Sequence, residues 1–480
     1  MLRFSTAALA GWAVLCASGQ AFAQQAAADK PSAVVSPDFN TSVSDVVGAQ
    51  VHDSFANVGQ TLYDHGVTVS SSFTAEPAGN PVGGISQGAT YAGQVYFGLD
   101  IDLGKMLASQ AANDTYVHFA MVDRQGNRLS QYYIGSSIGP QEIWGIQSVH
   151  LAVLTLERKF FDGRLDVTVG RSPANIAFLD SPIYCHFMVN SACGNPALIY
   201  FASNFSGFPS SSWGADAKAW LTDKIYFHGG VYEVNPLDHD QAYPWGIWNT
   251  GATGAIVPLE LGYATNFKND DLPRHYQIGG WIDRSTYTSP LYSADGGFAA
   301  INGQPYATLF GQSGVWARFD QMITRPDPHS NRGLTLFGVF MSATSGQPVM
   351  QQYYELGLLQ QGTFAGRDND TLGFVVNLEK WSNDALNNVR LARATVGSFT
   401  SPPPYMVMME LNYGWQITPA VQLSPNLQAI INPDNFNEPT RPGNIPSAFI
   451  VGFKLNVDLA KAAGIGAEDI SKNERQQKVF

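Results

Sequence analysis

Charge is scarce in this chain: Asp, Glu, Lys and Arg make up only 14% of it, against roughly 25% in an ordinary soluble domain. What charge there is leans acidic, with a net value of −12, which argues against nucleic acid as a partner. Cysteine is nearly missing, at three residues in 480. Long apolar runs are missing too: beyond the first 23 residues no stretch of about 18 apolar residues occurs, so no transmembrane helix is expected. Catalytic signatures are also absent. The nine histidines are scattered, with no HExxH, no GxSxG and no triad ordering, so neither an enzyme nor a metal or cofactor site is expected.

What is present begins with an export signal. Arg3 supplies a positive start, Ala7 to Ala17 an apolar core too short to span a bilayer, and Ala21-Phe22-Ala23 a small-x-small cleavage site. Residues 1–23 therefore read as a cleaved signal peptide. Two cysteines then remain, Cys185 and Cys193. In an oxidising compartment this close pair reads as a disulfide, since two thiols and the adjacent His186 match no zinc pattern.

Residues 24–50 form an Ala/Gln/Pro/Ser-rich flexible lead-in. Residues 51–65 read as a short helix, with Val51, Phe55, Val58 and Leu62 on one face and Gly66 at its end. From 66 to 459 the pattern is strand after strand. Val95, Phe97, Leu99, Ile101 and Leu103 alternate with Gln94, Tyr96, Gly98, Asp100 and Asp102. Val407, Met409, Leu411, Tyr413 and Trp415 alternate with Met408, Glu410, Asn412, Gly414 and Gln416, and Phe449 to Val457 repeats the pattern. Such strands are about nine to eleven residues long, enough to cross a bilayer at a tilt.

About sixteen strands of this kind predict an all-β fold, a transmembrane antiparallel β-barrel. Asp162-Gly163 and Thr418-Pro419 mark tight turns, while 180–212, 235–255 and 286–312 read as long loops, some folded inward. A polar tail, 460–480, follows the last strand. A soluble sandwich fits less well: one strand face carries Asp, Glu, Arg, Gln and Asn, which a dry core would penalise and a water-filled lumen would not. Aromatics such as Tyr413, Trp415 and Phe449 suit the lipid–water boundary.

Several segments resemble the carbohydrate-selective porins of the OprB family: GVYEVNP at 230–236, TGAIVPLELGY at 253–263, GRDND at 366–370 leading into TLGF, WQITPAVQLSPNLQAIINP at 415–433, YAGQVYFGLDIDL at 91–103, and the CHFMVNSAC loop. The resemblance runs from about 66 to 459. It implies a sixteen-stranded outer-membrane barrel whose inward loops narrow a sugar-selective pore, set in the outer membrane of a Gram-negative bacterium. Implied partners are small sugars, outer-membrane lipid and the barrel-assembly machinery, with the barrel a monomer or homotrimer. The polar tail departs from the family's habit of ending on an aromatic strand, and the low basic content leaves a general, organic-acid or cation-preferring porin as the alternative. A barrel enzyme or adhesin fits less well.

Sugars offer paired hydroxyls to charged side chains and apolar faces to aromatic rings. Alternation marks Asp100, Asp102, Asp216, Lys218, Glu260 and Glu410 as lumenal, with Glu260, inside the PLELG segment, the leading candidate. Arg318 and Asp320 share a face. Arg158, Arg171 and Arg284 sit near strand ends, at the constriction or the rim, and Trp213 and Trp281 are stacking candidates.

Overall fold

The computed structural model describes residues 58–465 except 144–146, 182, 184–185, 193–195, 240–244 and 249. The expected signal peptide and lead-in, residues 51–57 of the expected helix, the tail from 466 onward, and both Cys185 and Cys193 lie outside the described residues.

Alternating sequence becomes a closed wall. The first strands are β1 (Val67–Val82), β2 (Gly88–Asp102), β3 (Thr115–Gly126), β4 (Val149–Phe160) and β5 (Leu165–Ser172). Next come β6 (Ser212–Trp220), β7 (Ile225–Val234), β8 (Gly254–Ala264), β9 (Arg274–Ser293), β10 (Tyr306–Thr324) and β11 (Gly333–Ser345). The wall is completed by β12 (Met350–Gln361), β13 (Thr371–Trp381), β14 (Tyr405–Thr418), β15 (Val421–Ile431) and β16 (Ala448–Asp458). Each strand pairs antiparallel with the next, and β16 returns to β1 with Ser72 opposite Asp458 and Phe73 opposite Val457. Closure leaves no free sheet edge.

The period of two sorts side chains as a bilayer requires. Leu259, Leu261, Ile278, Ile282, Leu411 and Val451 point outward and are exposed, whereas Glu260, Gln277, Asp283 and Glu410 point inward and are buried. Trp281 and Trp316, inward on β9 and β10, stack with ring centroids 6.1 Å apart. Each needs a glycine opposite it. A β-carbon at Gly314 would lie 2.1 Å from the Trp281 ring, and one at Gly279 would lie 2.3 Å from Trp316.

The connections divide the barrel into two rims. At one rim the links 161–164, 221–224 and 419–420 are short; at the other, 127–148, 173–211, 235–253, 382–404 and 432–447 are long. The stretch 286–312 differs from the loop expected there, because β9 runs on to Ser293 and β10 starts at Tyr306. Alternation persists, with Ser289, Leu291 and Ser293 buried and Tyr292 exposed. The Gly, Ser and Pro residues that suggested a loop sit in a hairpin rising past the wall.

Helices are short. Residues 58–64 are helical, and Gly66 leaves that turn at φ +79°. The link 382–404 holds α1 (Asn383–Thr395), started by the Ser382 side chain, which accepts the Ala385 N–H at 3.2 Å. Its Arg393 donates to the carbonyls of Arg441 (2.9 Å) and Thr400 (2.8 Å), joining two long loops.

The main apolar core lies inside the barrel. The loop 173–211 folds into the lumen and buries Phe178, Phe187, Met188, Val189, Leu198 and Ile199 against wall residues Phe337, Met341, Tyr353, Val375, Met406, Met408 and Ile450. Each fully covered side chain of this size contributes roughly 1.5–3 kcal/mol relative to exposure. The inner wall thus gives the loop an apolar surface to rest on.

Candidate functional site: the lumenal constriction

The loop reaches its position through wall groups that satisfy its backbone. Glu410 on β14 accepts the N–H groups of Met188 (2.9 Å) and Val189 (2.6 Å), and Asn412 donates to the His186 carbonyl at 2.9 Å. On β10, Arg318 pairs with Asp320 and donates to the Asp180 carbonyl, while Ser181 Oγ donates to Asp320 at 3.3 Å. On β9, Asp283 accepts the Asn204 N–H (3.1 Å) and its Nδ2 (3.0 Å). Tyr353 on β12 donates to the Ser191 carbonyl at 2.7 Å. Buried backbone groups need such partners.

The second inward loop, 127–148, is held in the same way. Glu76 on β1 accepts the Ile143 N–H at 3.1 Å, and Gln428 on β15 donates to the Pro140 carbonyl at 3.0 Å. Asp434, in the loop 432–447, accepts from Ser137 N (2.9 Å) and Ser137 Oγ (2.8 Å). Burial pushes the Asp434 carboxyl above its ordinary range despite those bonds. Burial likewise raises Asp180, against the pull of Arg318.

Between these loops and the β2–β7 wall a cavity of about 830 Å³ stays open. Its wall side carries Gln94 and Arg124, and the loops supply Glu142, Asn175, Tyr200 and Phe208. Arg124 Nε donates to Gln94 Oε1 at 2.8 Å, and the guanidinium carbon lies 5.8 Å from the Phe208 ring centroid. Asn175 joins the two rings: its Nδ2 donates to the Tyr200 hydroxyl at 2.6 Å, and its Oδ1 accepts the Phe208 N–H at 3.0 Å. Tyr200 remains 40% exposed and so presents ring surface to the cavity. A fixed guanidinium, a carboxylate and open aromatic faces can together hold hydroxyls and stack on apolar C–H surface.

The residues singled out by alternation lie elsewhere. Glu410, Arg318 and Asp320 hold the loop, as described. Glu260 is 2% exposed and accepts from Tyr226 (2.8 Å) and Gln277 (3.1 Å). Asp216 accepts from the Tyr232 hydroxyl and contacts His228 Nε2, both at 2.9 Å, and Phe178 stacks on that imidazole. Lys218 Nζ sits 3.9 Å from the Tyr226 ring centroid. Asp100 pairs with His118, whose other nitrogen meets Glu157 at 2.8 Å, toward the short-turn rim. Asp102 accepts the Lys105 N–H at 3.0 Å and caps a short helix, Leu103–Leu107.

Four expected lining residues are corrected by strand parity or by burial. Arg158 follows the inward Glu157 and Arg284 follows the inward Asp283, so both are exposed on the outer face. Trp213 also faces outward, 42% exposed, with its Nε1 donating to the Ile247 carbonyl at 3.3 Å. Trp281 is inward but only 2% exposed, its face taken by Trp316. Arg171, opposite Trp213 in the ladder, is a rim residue: it donates to the Gly246 carbonyl (2.6 Å) and to Asp238 (3.2 Å).

Sequence reasoning missed Arg124, Glu142, Asn175, Tyr200 and Phe208. Arg124 had a signal, since alternation through Val122-Asp123-Arg124 sets it opposite the lumenal Gln94. The other four lie in loops that carry no period, and only the folded path brings them together.

Comparison with known proteins agrees with this architecture. Residues 86–459 match the family described as carbohydrate-selective porin, OprB family. Porin B of Pseudomonas aeruginosa is 27% identical over 411 residues, covering 82% of this chain and 88% of that protein. The high-pH structure of Pseudomonas putida OprB superposes with a TM-score of 0.74 at 26% identity, covering 83% of this chain and 95% of that one. The low-pH structure of the same protein, at 22% identity and a TM-score of 0.51, shares the fold.

Proposed function

As a member of the OprB family of carbohydrate-selective porins, this chain is a sugar-selective channel of the outer membrane, and we propose that Arg124, Glu142, Tyr200 and Phe208 form its recognition site. The observation that carries this reading is the guanidinium of Arg124, fixed by Gln94 beside the Phe208 ring in a cavity that the exposed Tyr200 also lines. Hydroxyl pairs of a passing sugar bind the charged groups while its C–H face rests on a ring. The groups lie around an open passage, so binding is weak enough for release.

Passage is by passive diffusion through the lumen. The long-loop rim faces the outside and the short-turn rim the periplasm, the usual arrangement of bacterial outer-membrane barrels. Residues 1–23 act as a cleaved export signal in a Gram-negative cell. Single-channel recording in planar bilayers tests the reading: mono- or disaccharides reduce the current in a concentration-dependent way. Sugars that leave the current unchanged, while organic acids or cations block it, would leave the pore and remove this recognition site.

A further inference from the structure

Lys454 lies on the inner face of β16 and is 3% exposed. Its ammonium group reaches three separate elements. It donates to Glu142 Oε2 at 2.8 Å in the loop 127–148, and to the Phe187 carbonyl at 3.3 Å in the loop 173–211. On β1, Glu76 Oε1 stands 3.9 Å away. An ammonium has three donors and no acceptor, and here it stands beside two carboxylates of the lumen. Glu142 keeps 22% of its side chain exposed, so it is held from behind by Lys454 and faces the cavity in front. Arg124 lines the same cavity.

We infer that Lys454 is a positioning residue for selectivity: it fixes Glu142 at the cavity that Arg124 also lines and ties both inward loops to the seam between β1 and β16. Charge selectivity and solute fit then depend on one buried amine that a passing solute does not meet. The solute part of this inference rests on the sugar-channel reading, whereas the charge part stands without it.

The test uses the full chain in planar bilayers under a potassium chloride gradient, with glucose as the blocking probe. Heat-modifiable gel mobility reports barrel folding. Lys454→Met removes the ammonium from beside Glu142 and Glu76. The reversal potential should move toward cation preference, and glucose block should weaken by about tenfold, the loss expected for one charge-assisted hydrogen bond. Lys454→Arg should restore both. The double variant Lys454→Met/Glu142→Gln should bring the reversal potential back toward the parent, because the carboxylate that lines the cavity is gone.

An unchanged reversal potential in Lys454→Met, or a double variant no different from the single one, would overturn the inference. A residue that only braced the fold would alter conductance or noise without this charge-specific rescue. Should Lys454→Met lose its folded mobility, Glu142→Gln carries the test: a shift toward anion preference supports the inference and no shift overturns it. Absence of glucose block in the parent, with the reversal-potential shifts intact, would fault the sugar reading and not the role of Lys454.

Discussion

Glu410 and Met188 are 222 positions apart in sequence, yet the carboxylate of the first accepts the backbone N–H of the second at 2.9 Å, and that of Val189 at 2.6 Å. A wall residue that alternation marks as solute-facing is thus occupied by the protein's own loop. Much of the inner wall's polarity serves the same end.

Releasing this anchor should widen the pore. Glu410→Ala leaves two buried N–H groups without their acceptor, at a cost of roughly 1.5–3 kcal/mol for each charged hydrogen bond lost. The expected result is higher single-channel conductance, noisier current, and faster proteolysis within 173–211. Conductance and cleavage equal to the parent would show that the loop holds its place without Glu410.

Glu260 should behave differently. Its carboxylate is covered by Tyr226 and Gln277, so Glu260→Ala removes an internal partner and not a solute contact. Sugar block should match the parent, while thermal stability falls by about 1–3 kcal/mol. Markedly weaker block with unchanged stability would return Glu260 to the recognition site.

At the cavity, Arg124→Ala and Phe208→Ala should each weaken sugar block by about tenfold while preserving the barrel. Arg124→Lys should not rescue, because a lysine lacks the planar fork that both meets Gln94 and lies beside the ring. Block constants within twofold of the parent in both alanine variants would place recognition elsewhere in the lumen.

Asp434 makes one loop contact pH-sensitive. Its folded value is raised by burial, so the folded protein takes up this proton before the unfolded chain does. The resulting stability is fully present below the unfolded value near ~3.9 and is lost as pH rises through the folded value. Hydrogen exchange at 136–138 and 434–436, corrected for the intrinsic rate, should show protection that is greatest at about pH 4 and falls as pH rises from there. Asp434→Asn should abolish the difference, and an identical pH slope in that variant would sink the assignment.

The wall was legible because lipid on one side and water on the other impose a period of two on each strand. Val407–Gln416 and Phe449–Val457 carry that period intact, and their outward sets are the ones observed. Family resemblance added the expectation of inward loops. What stayed hidden were destinations. Residues 173–211 carry no period that names Glu410, Asp320 or Asp283 as their anchors, since those contacts join positions far apart in sequence. Inward polarity alone does not distinguish a group that meets solute from one that meets loop backbone, which is why Glu260 and Trp281 stood out and Tyr200 did not. Arg158 and Arg284 each follow an inward carboxylate, so the same alternation, counted through, sets both on the outer face.

The return of β16 to β1 has a consequence for the order of folding. Thr74 Oγ1 donates to Asn456 at 3.0 Å across 382 positions, a contact that must wait until nearly the whole chain is in place, because long-range pairing pays its loop-closure entropy first. Glu76 and Lys454, the clamps of both inward loops, stand on those same two strands. An unsealed barrel would carry two open edges together with slack inner loops, so sealing the wall and finishing the filter are a single late event. A nascent channel becomes selective at the moment it stops being sticky.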